Sequence, residues 1–355
     1  MRILNIYLLK AVLSAALLVL LALLAIAGFV EFIAQLENVG EGSFDVPQAL
    51  VYTLLRLPLL AVQMVPVAAL IGALLGLGSL AGHSELTVMR AAGVSKWRLA
   101  KAVALSGVIL LAASAVIGEY MAPPLDQFAR KYRNSLKHEQ SGFVDDRSIW
   151  VRDGLTFFNV ERITGELDLG SMYLFEFDSE RRLKAIGHAL NAGLDTEDRW
   201  VLDNFVVTRF DDQGATVDEV EQSVKRYNVD SELLGVSIVR PSSMSLRGLR
   251  TYIRYLSKNE LVADAYLAEF WGRISSTVAI VLMPILAIGF VFGSLRSAGN
   301  GSRALVGVLI GLAWFLATRL LANTGQVFDI NVILTAWIPS IALAVVTVVA
   351  VSRVR

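Results

Sequence analysis

A chain of 355 residues that is 55% hydrophobic, with a mean hydropathy of +0.58, is too apolar for an ordinary water-soluble globule and points to several membrane spans plus a wetter domain. Lysine and arginine number 32, as do aspartate and glutamate, so net charge gives no bias toward nucleic acid and any message lies in where the charges sit. Cysteine is absent, which excludes disulfides, thiolate catalysis and cysteine-ligated metal sites.

The first uncharged apolar run, 11–30, follows Arg2 and Lys10 and contains Ala25-Ile26-Ala27, an arrangement that imitates a secretory signal with its cleavage site. The run exceeds the ~7–15 residues of a signal's apolar region, so it is assigned as a retained span. Two further runs follow at 57–80 and 102–118, and three more at 274–295, 304–318 and 330–352. Most reach the ~18–20 residues that cross a hydrocarbon core of ~30 Å. The fifth meets Arg319 and is extended past it to about Asn323. The fold class is therefore an α-helical membrane protein with six transmembrane helices in a 3+3 arrangement. Residues 1–122 carry the first three spans, 266–355 the last three, and 123–265 form an insert.

Basic residues orient the spans. With the N-terminus in the cytoplasm, the inner segments hold Arg2, Lys10, Arg90, Lys96, Arg98, Lys101, Arg296, Arg303, Arg353 and Arg355 against a single acid, Glu85. The short outer segments hold Glu31, Glu37, Glu41, Asp45 and Asp329 and, apart from Arg56 at the border of the second run, no lysine or arginine. Both termini are then inside and the insert outside. The insert carries 24 acids and 19 basic residues, a mixed surface suited to water. Its middle, about 141–240, reads as a β-sandwich or jelly roll, with two β-rich runs around the hairpin signal Asp153-Gly154 and turn residues recurring along the rest. Helical arms flank it on both sides.

Sites of chemistry are missing. His83, His138 and His188 are far apart and lack metal-ligand spacing, and no nucleophile elbow, HExxH pattern or phosphate-binding loop occurs. The basic run at 181–184 reads as a solvated turn. No bound metal or cofactor and no nucleic-acid partner is expected.

The informative loop is "SELTVMRAAGVSKWRLAK", 84–101. Ser84 is placed to cap a helix, Glu85 to complement its dipole and Gly93 to stop it. Leu86, Met89 and Gly93 share a face, and Val88 and Ala92 lie beside them. A helix of about nine residues is too short to be stable alone, and it either rests on the bilayer or docks in the groove of a partner. Residue physics leaves both open.

The segment "SELTVMRAAGVSKWRL" (84–99), together with "PVAALIGALLGLGSLA" (66–81), "IGEYMAPPLDQFARKYR" (117–133) and "FGSLRS" (292–297), resembles the permease subunits of the lipopolysaccharide-export ABC transporter, the LptF/LptG family, and the G-type subunit more than the F-type. The resemblance extends over the whole chain. It implies a non-catalytic transport subunit of the bacterial inner membrane, with a periplasmic jelly roll. It pairs with a homologous LptF-like permease and is driven by an LptB-like ATPase dimer that uses ATP and magnesium. Lipopolysaccharide then passes to LptC/LptA-like periplasmic bridge proteins. Residues Ser84, Glu85, Leu86, Met89, Arg90 and Gly93 would form the helix coupled to the ATPase.

Spans one and five would face the partner permease, and Gly307 and Gly311 form a GxxxG that serves either that interface or packing within the chain. Among the charges near the outer ends of the spans, Arg56 and Arg319 either contact substrate or snorkel, and Glu31 stands where the family tends to carry a basic residue. Arg130 and Arg133 share one helical face; their planar forks suit headgroup phosphates, or they pair with acids of the β domain. Two other functional classes remain in view: an ATP-independent flippase using Glu119 and Glu269, and a membrane scaffold that tethers the β domain.

Overall fold

The computed structural model describes residues 2–138, 149–160, 168–195, 199–211, 214–225, 227, 240–293, 299–327 and 330–353. Arg296, Asp329 and Arg355 of the charge pattern lie outside them, as do parts of the expected β region. The chain divides into two units, residues 1–137 with 264–355, and residues 138–263.

The first unit is helical. It comprises α1 (Arg2–Leu36), α2 (Val46–Gly82), the short α3 (Glu85–Ala91), α4 (Lys96–Val116) and α5 (Ala122–His138). After the insert come α7 (Asp264–Phe292), α8 (Asn300–Val327) and α9 (Val332–Ser352). Among the described residues six helices are long and apolar enough to cross a membrane, the third running without a break through α4 and α5. A π-helical turn, Ile117–Met121, joins those two, closed by a bond from the Ala122 N–H to the Ile117 carbonyl. Pro123 and Pro124 follow at once; they lack N–H donors and crowd the carbonyls of the preceding turn, and the wider turn relieves this without ending the helix. The arm expected after span three is thus that span's own continuation, and α5 belongs with the helices.

Helix α2 is the centre of this unit. Two-thirds of its most apolar stretch is buried, against 17% for α1 and 11% for α8. Small residues let the neighbours approach: a Cβ on Gly76 would lie 2.6 Å from the Ala11 carbonyl oxygen of α1. One core unites Leu8 and Val12 of α1, Leu70, Leu74 and Leu77 of α2, Leu86 of α3, Leu99 and Val103 of α4, Met283 and Leu286 of α7 and Leu343 of α9. Inside it, the Ser275 and Ser340 hydroxyls are hydrogen-bonded at 2.7 Å, and Ser340 also donates to the Ser275 carbonyl at 2.9 Å, tying α7 to α9.

The second unit holds β1 (Ile149–Asp153), β2 (Thr156–Val160), β3 (Asp168–Phe177), β4 (Leu183–Leu194), β5 (Trp200–Asp211) and β6 (Gly214–Lys225), then α6 (Leu246–Lys258). The strands form one antiparallel sheet in chain order. The expected hairpin is present, with Asp153 paired to Thr156 and Gly154 at φ +61°. The inserted β domain expected between spans three and four is thus present, each described strand pairing with the next. Phe158, Met172, Leu174, Trp200, Leu202 and Phe205 fill the inner face. The inward alternation changes phase after Ala189 in β4 and at Asn204 (φ +51°) in β5, residues Leu190 and Asn204 being skipped together by the ladder. From α6, the Tyr255 hydroxyl donates to the Arg152 carbonyl at 2.8 Å and accepts from the Arg152 N–H.

Candidate functional site

Two places at opposite ends of the helical unit gather the chemistry. The first is α3 and the turns around it. Only His83 and Ser84 separate α2 from α3, and the reversal forces Ser84 to φ +63°. An N-cap needs extended backbone to aim its side-chain oxygen at the next turn, so the expected Ser84 cap does not form and its hydroxyl accepts no capping bond. Gly93 does end the helix as expected, at φ +87°, with the Gly93 and Val94 N–H groups donating to the carbonyls of Arg90 and Met89. Ser95 caps the next helix, its Oγ accepting from the Arg98 N–H at 3.3 Å.

The apolar face of α3 is turned inward. Leu86 is 1% exposed within the core, and Met89 packs beside it. The Tyr7 hydroxyl of α1 donates to Glu85 Oε2 at 2.8 Å, and the Arg90 guanidinium lies over the Phe292 ring of α7 at 5.6 Å. Of the six residues expected to receive a partner, Leu86 and Met89 therefore seat the helix in its own protein, Glu85 and Arg90 tie it to α1 and α7, and Ser84 and Gly93 mark its ends. The outward face is made instead by Thr87, Val88, Ala91 and Ala92, and the start of α4 adds Trp97, Arg98 and Lys101. Sequence reasoning set Val88 beside the apolar face without assigning it to the site, and missed Trp97. The signal was available for Trp97, a large aromatic beside basic residues just outside an apolar run.

The second place joins the far end of α1, the first turns of α2 and all of α5. Asp126, completely buried, accepts from Arg56 Nε and Arg130 Nε, each at 2.8 Å. Arg56 Nη1 also pairs with Glu31 Oε1, the same oxygen that accepts from Gln35 Nε2 at 3.0 Å. Arg133 donates to Gln35 Oε1 at 3.2 Å. The Tyr52 ring lies beneath both guanidiniums, 5.6 Å from Arg56 and 5.1 Å from Arg133. Lys137 closes the series on Asn38 and Glu41. Positions 126, 130, 133 and 137 follow helical spacing, so α5 lays one polar face along α1 and α2. Arg130 thus has a carboxylate partner in Asp126 and Arg133 an amide partner in Gln35, both within the helical unit.

Arg319 stands apart. It is exposed on α8, donating to Gln63 Oε1 of α2 at 3.3 Å and lying over the Phe315 ring. Glu269 and Arg273 pair with each other along α7 at 2.8 Å. The GxxxG of α8 faces α2 of its own chain, a Cβ on Gly307 falling 2.9 Å from Ile71 and one on Gly311 2.6 Å from Val67. Their assignment to a partner-permease interface is corrected accordingly: the groove they open is already filled. Among the described residues no three histidine, aspartate or glutamate side chains converge as a metal site would require.

The family model for the lipopolysaccharide export system permease LptF/LptG matches residues 6–353. The lipopolysaccharide export system permease protein LptG of Escherichia coli K12 is 31% identical over 336 residues, covering 94% of this chain and 93% of that protein. Its counterpart in Haemophilus influenzae is 32% identical over 351 residues, covering 98% of each chain.

Proposed function

The chain belongs to the LptF/LptG family of lipopolysaccharide export permeases, and from that premise we propose that it is the G-type subunit of a transporter that takes lipopolysaccharide out of the inner membrane. The observation that carries this reading is identity to LptG proteins across nearly the whole chain, through all six apolar helices and the β insert. Lifting a multi-acyl lipid from a bilayer costs about 0.8 kcal/mol per exposed CH₂, so an energy source outside this chain is required. An LptB-like ATPase dimer using ATP and magnesium supplies it by docking on the face of α3 and the start of α4. Val88 and Trp97 are the apolar contacts there, and Arg98 and Lys101 favour acidic groups on the ATPase.

The least buried helices, α1 and α8, face an LptF-like permease. The end carrying α3 is cytoplasmic and the β domain periplasmic, in reach of LptC/LptA-like bridge proteins. Arg319, exposed on α8, and the guanidiniums of Arg56, Arg130 and Arg133 are the groups that meet the phosphates of the lipid. The chain itself performs no catalysis. Purification of the tagged chain in mild detergent recovers an ATPase and a second permease, and reconstituted export requires ATP hydrolysis; lipid transport without either would refute the assignment. Single cysteines at Asp153 and Thr216 react with an impermeant reagent in spheroplasts and one at Ser95 does not. The reverse labelling overturns the orientation.

A further inference from the structure

We propose that Glu31 is an internal competitor for the phosphate group: its carboxylate occupies the face of Arg56 that a lipid phosphate takes, and substrate entry is an exchange of ligands on that guanidinium. This deepens, and rests on, the reading that the chain handles a phosphorylated lipid.

The two carboxylates on Arg56 are unequal. Asp126 is completely buried and bonded to two arginines, so its removal would take a carboxylate from both at once. The Glu31 side chain retains 18% exposure, and Arg56 retains 17%. Glu31 also sits on the scarcely covered α1, where Phe29, Val30 and Ile33 face outward. An anion arriving along that side reaches the Glu31–Arg56 pair and not Asp126.

Exchange is chemically balanced in favour of a phosphate. With Glu31 in place, the guanidiniums of Arg56, Arg130 and Arg133 face two carboxylates; with Glu31 displaced they face one. A phosphomonoester brings close to two negative charges and three acceptor oxygens at neutral pH. It satisfies Arg56 Nη1 and reaches the terminal nitrogens of Arg130, which take no acceptor among the described residues. The released Glu31 turns to water. Because Glu31 is one of the groups fastening the far end of α1 to α2 and α5, the exchange also loosens that end of α1.

The test uses the full chain in nanodiscs of zwitterionic lipid, with three probes: diphosphorylated lipid A, the same lipid with its phosphates removed, and inorganic phosphate. Glu31→Gln binds the diphosphorylated lipid about tenfold more tightly than the parent, equivalent to about 1.4 kcal/mol. It leaves the dephosphorylated lipid unchanged, and Arg56→Gln added to it abolishes the gain. Spin labels at Ala34 and Asn134 move apart when the parent binds the diphosphorylated lipid, and start apart in Glu31→Gln. If inorganic phosphate shows the full tenfold gain by itself, the exchange stands and its source is free phosphate, not a lipid. Equal affinity of parent and Glu31→Gln, with unchanged label distances, overturns the proposal while leaving the transport reading intact. If neither protein binds the diphosphorylated lipid, the transport reading falls with it.

Discussion

At one end of the helical unit α3 is seated by Leu86 in an apolar core, with the Tyr7 hydroxyl donating to Glu85 and the Arg90 guanidinium lying over the Phe292 ring. At the other end α5 is fastened by guanidiniums and carboxylates, with Tyr52 as a platform between them. Apolar seating is insensitive to salt and to passing anions, and it moves as a block because close-packed side chains do not slide. An ionic fastening can be remade by any ligand that matches it. The difference suits an end that receives force and an end that handles charge.

Asp126→Ala breaks the comparison most severely. It leaves Arg130 without its carboxylate and Arg56 with Glu31 alone, and the helical unit loses about 3–5 kcal/mol, the cost of taking one partner out of a buried ion pair. The measurement is thermal unfolding in detergent, followed by proteolysis after α5. Leu86→Ala comes next, at about 2–4 kcal/mol from the cavity left in the core. Here α3 loosens while the far end keeps its fastening, so ATPase binding weakens and lipid binding does not.

Gly311→Leu sharpens the statement that α8 packs on α2 within the chain. Overpacking against Val67 costs about 1–3 kcal/mol in the isolated subunit, before any partner is present. If unfolding of the lone subunit is unaffected and only assembly fails, the glycines serve the partner after all. Tyr7→Phe removes one hydroxyl, worth about 0.5–1.5 kcal/mol, and a double-mutant cycle with Glu85→Gln recovers that coupling.

The smallest effect lies in the β unit. The Arg182 backbone N–H, with the Arg182 side chain and the Glu180 N–H, holds the Asp178 carboxyl below its ordinary range. A group depressed in the folded state stabilises above its unfolded value, and that contribution is lost as pH falls through the folded one. The protection of the Glu180 and Arg182 amides, measured relative to their intrinsic exchange rate at each pH, is therefore full at neutral pH and falls only on acidification below the usual carboxylate range.

Length and bulk polarity made the six spans legible, because a run of apolar residues declares itself without reference to anything distant. The Gly93 stop was legible for a similar reason: one residue sets it. Ser84 was misread because its conformation is set by how sharply α2 turns into α3, which no local pattern records. Arg130 and Arg133 were correctly placed on one face, yet a partner such as Gln35 lies 98 residues from Arg133 in the chain, and spacing says nothing of it. The α8 glycines announced a close approach and not which helix makes it. In the insert, alternation revealed strands, while the order in which they pair depended on turn lengths that composition alone does not rank.

The π turn at Ile117–Met121 carries a consequence for the whole third span. A π turn amounts to one residue more than the α-helix would use, and each residue rotates the helix by about 100°. The azimuth of Asp126, Arg130, Arg133 and Lys137 relative to the buried face of α4 is therefore set by that single inserted residue. Remove it, and the helix remains continuous and equally apolar, but its far half is dialled a quarter-turn away from α1 and α2. Between residues 96 and 138 the chain thus tolerates many exchanges of side chain and almost no change of count.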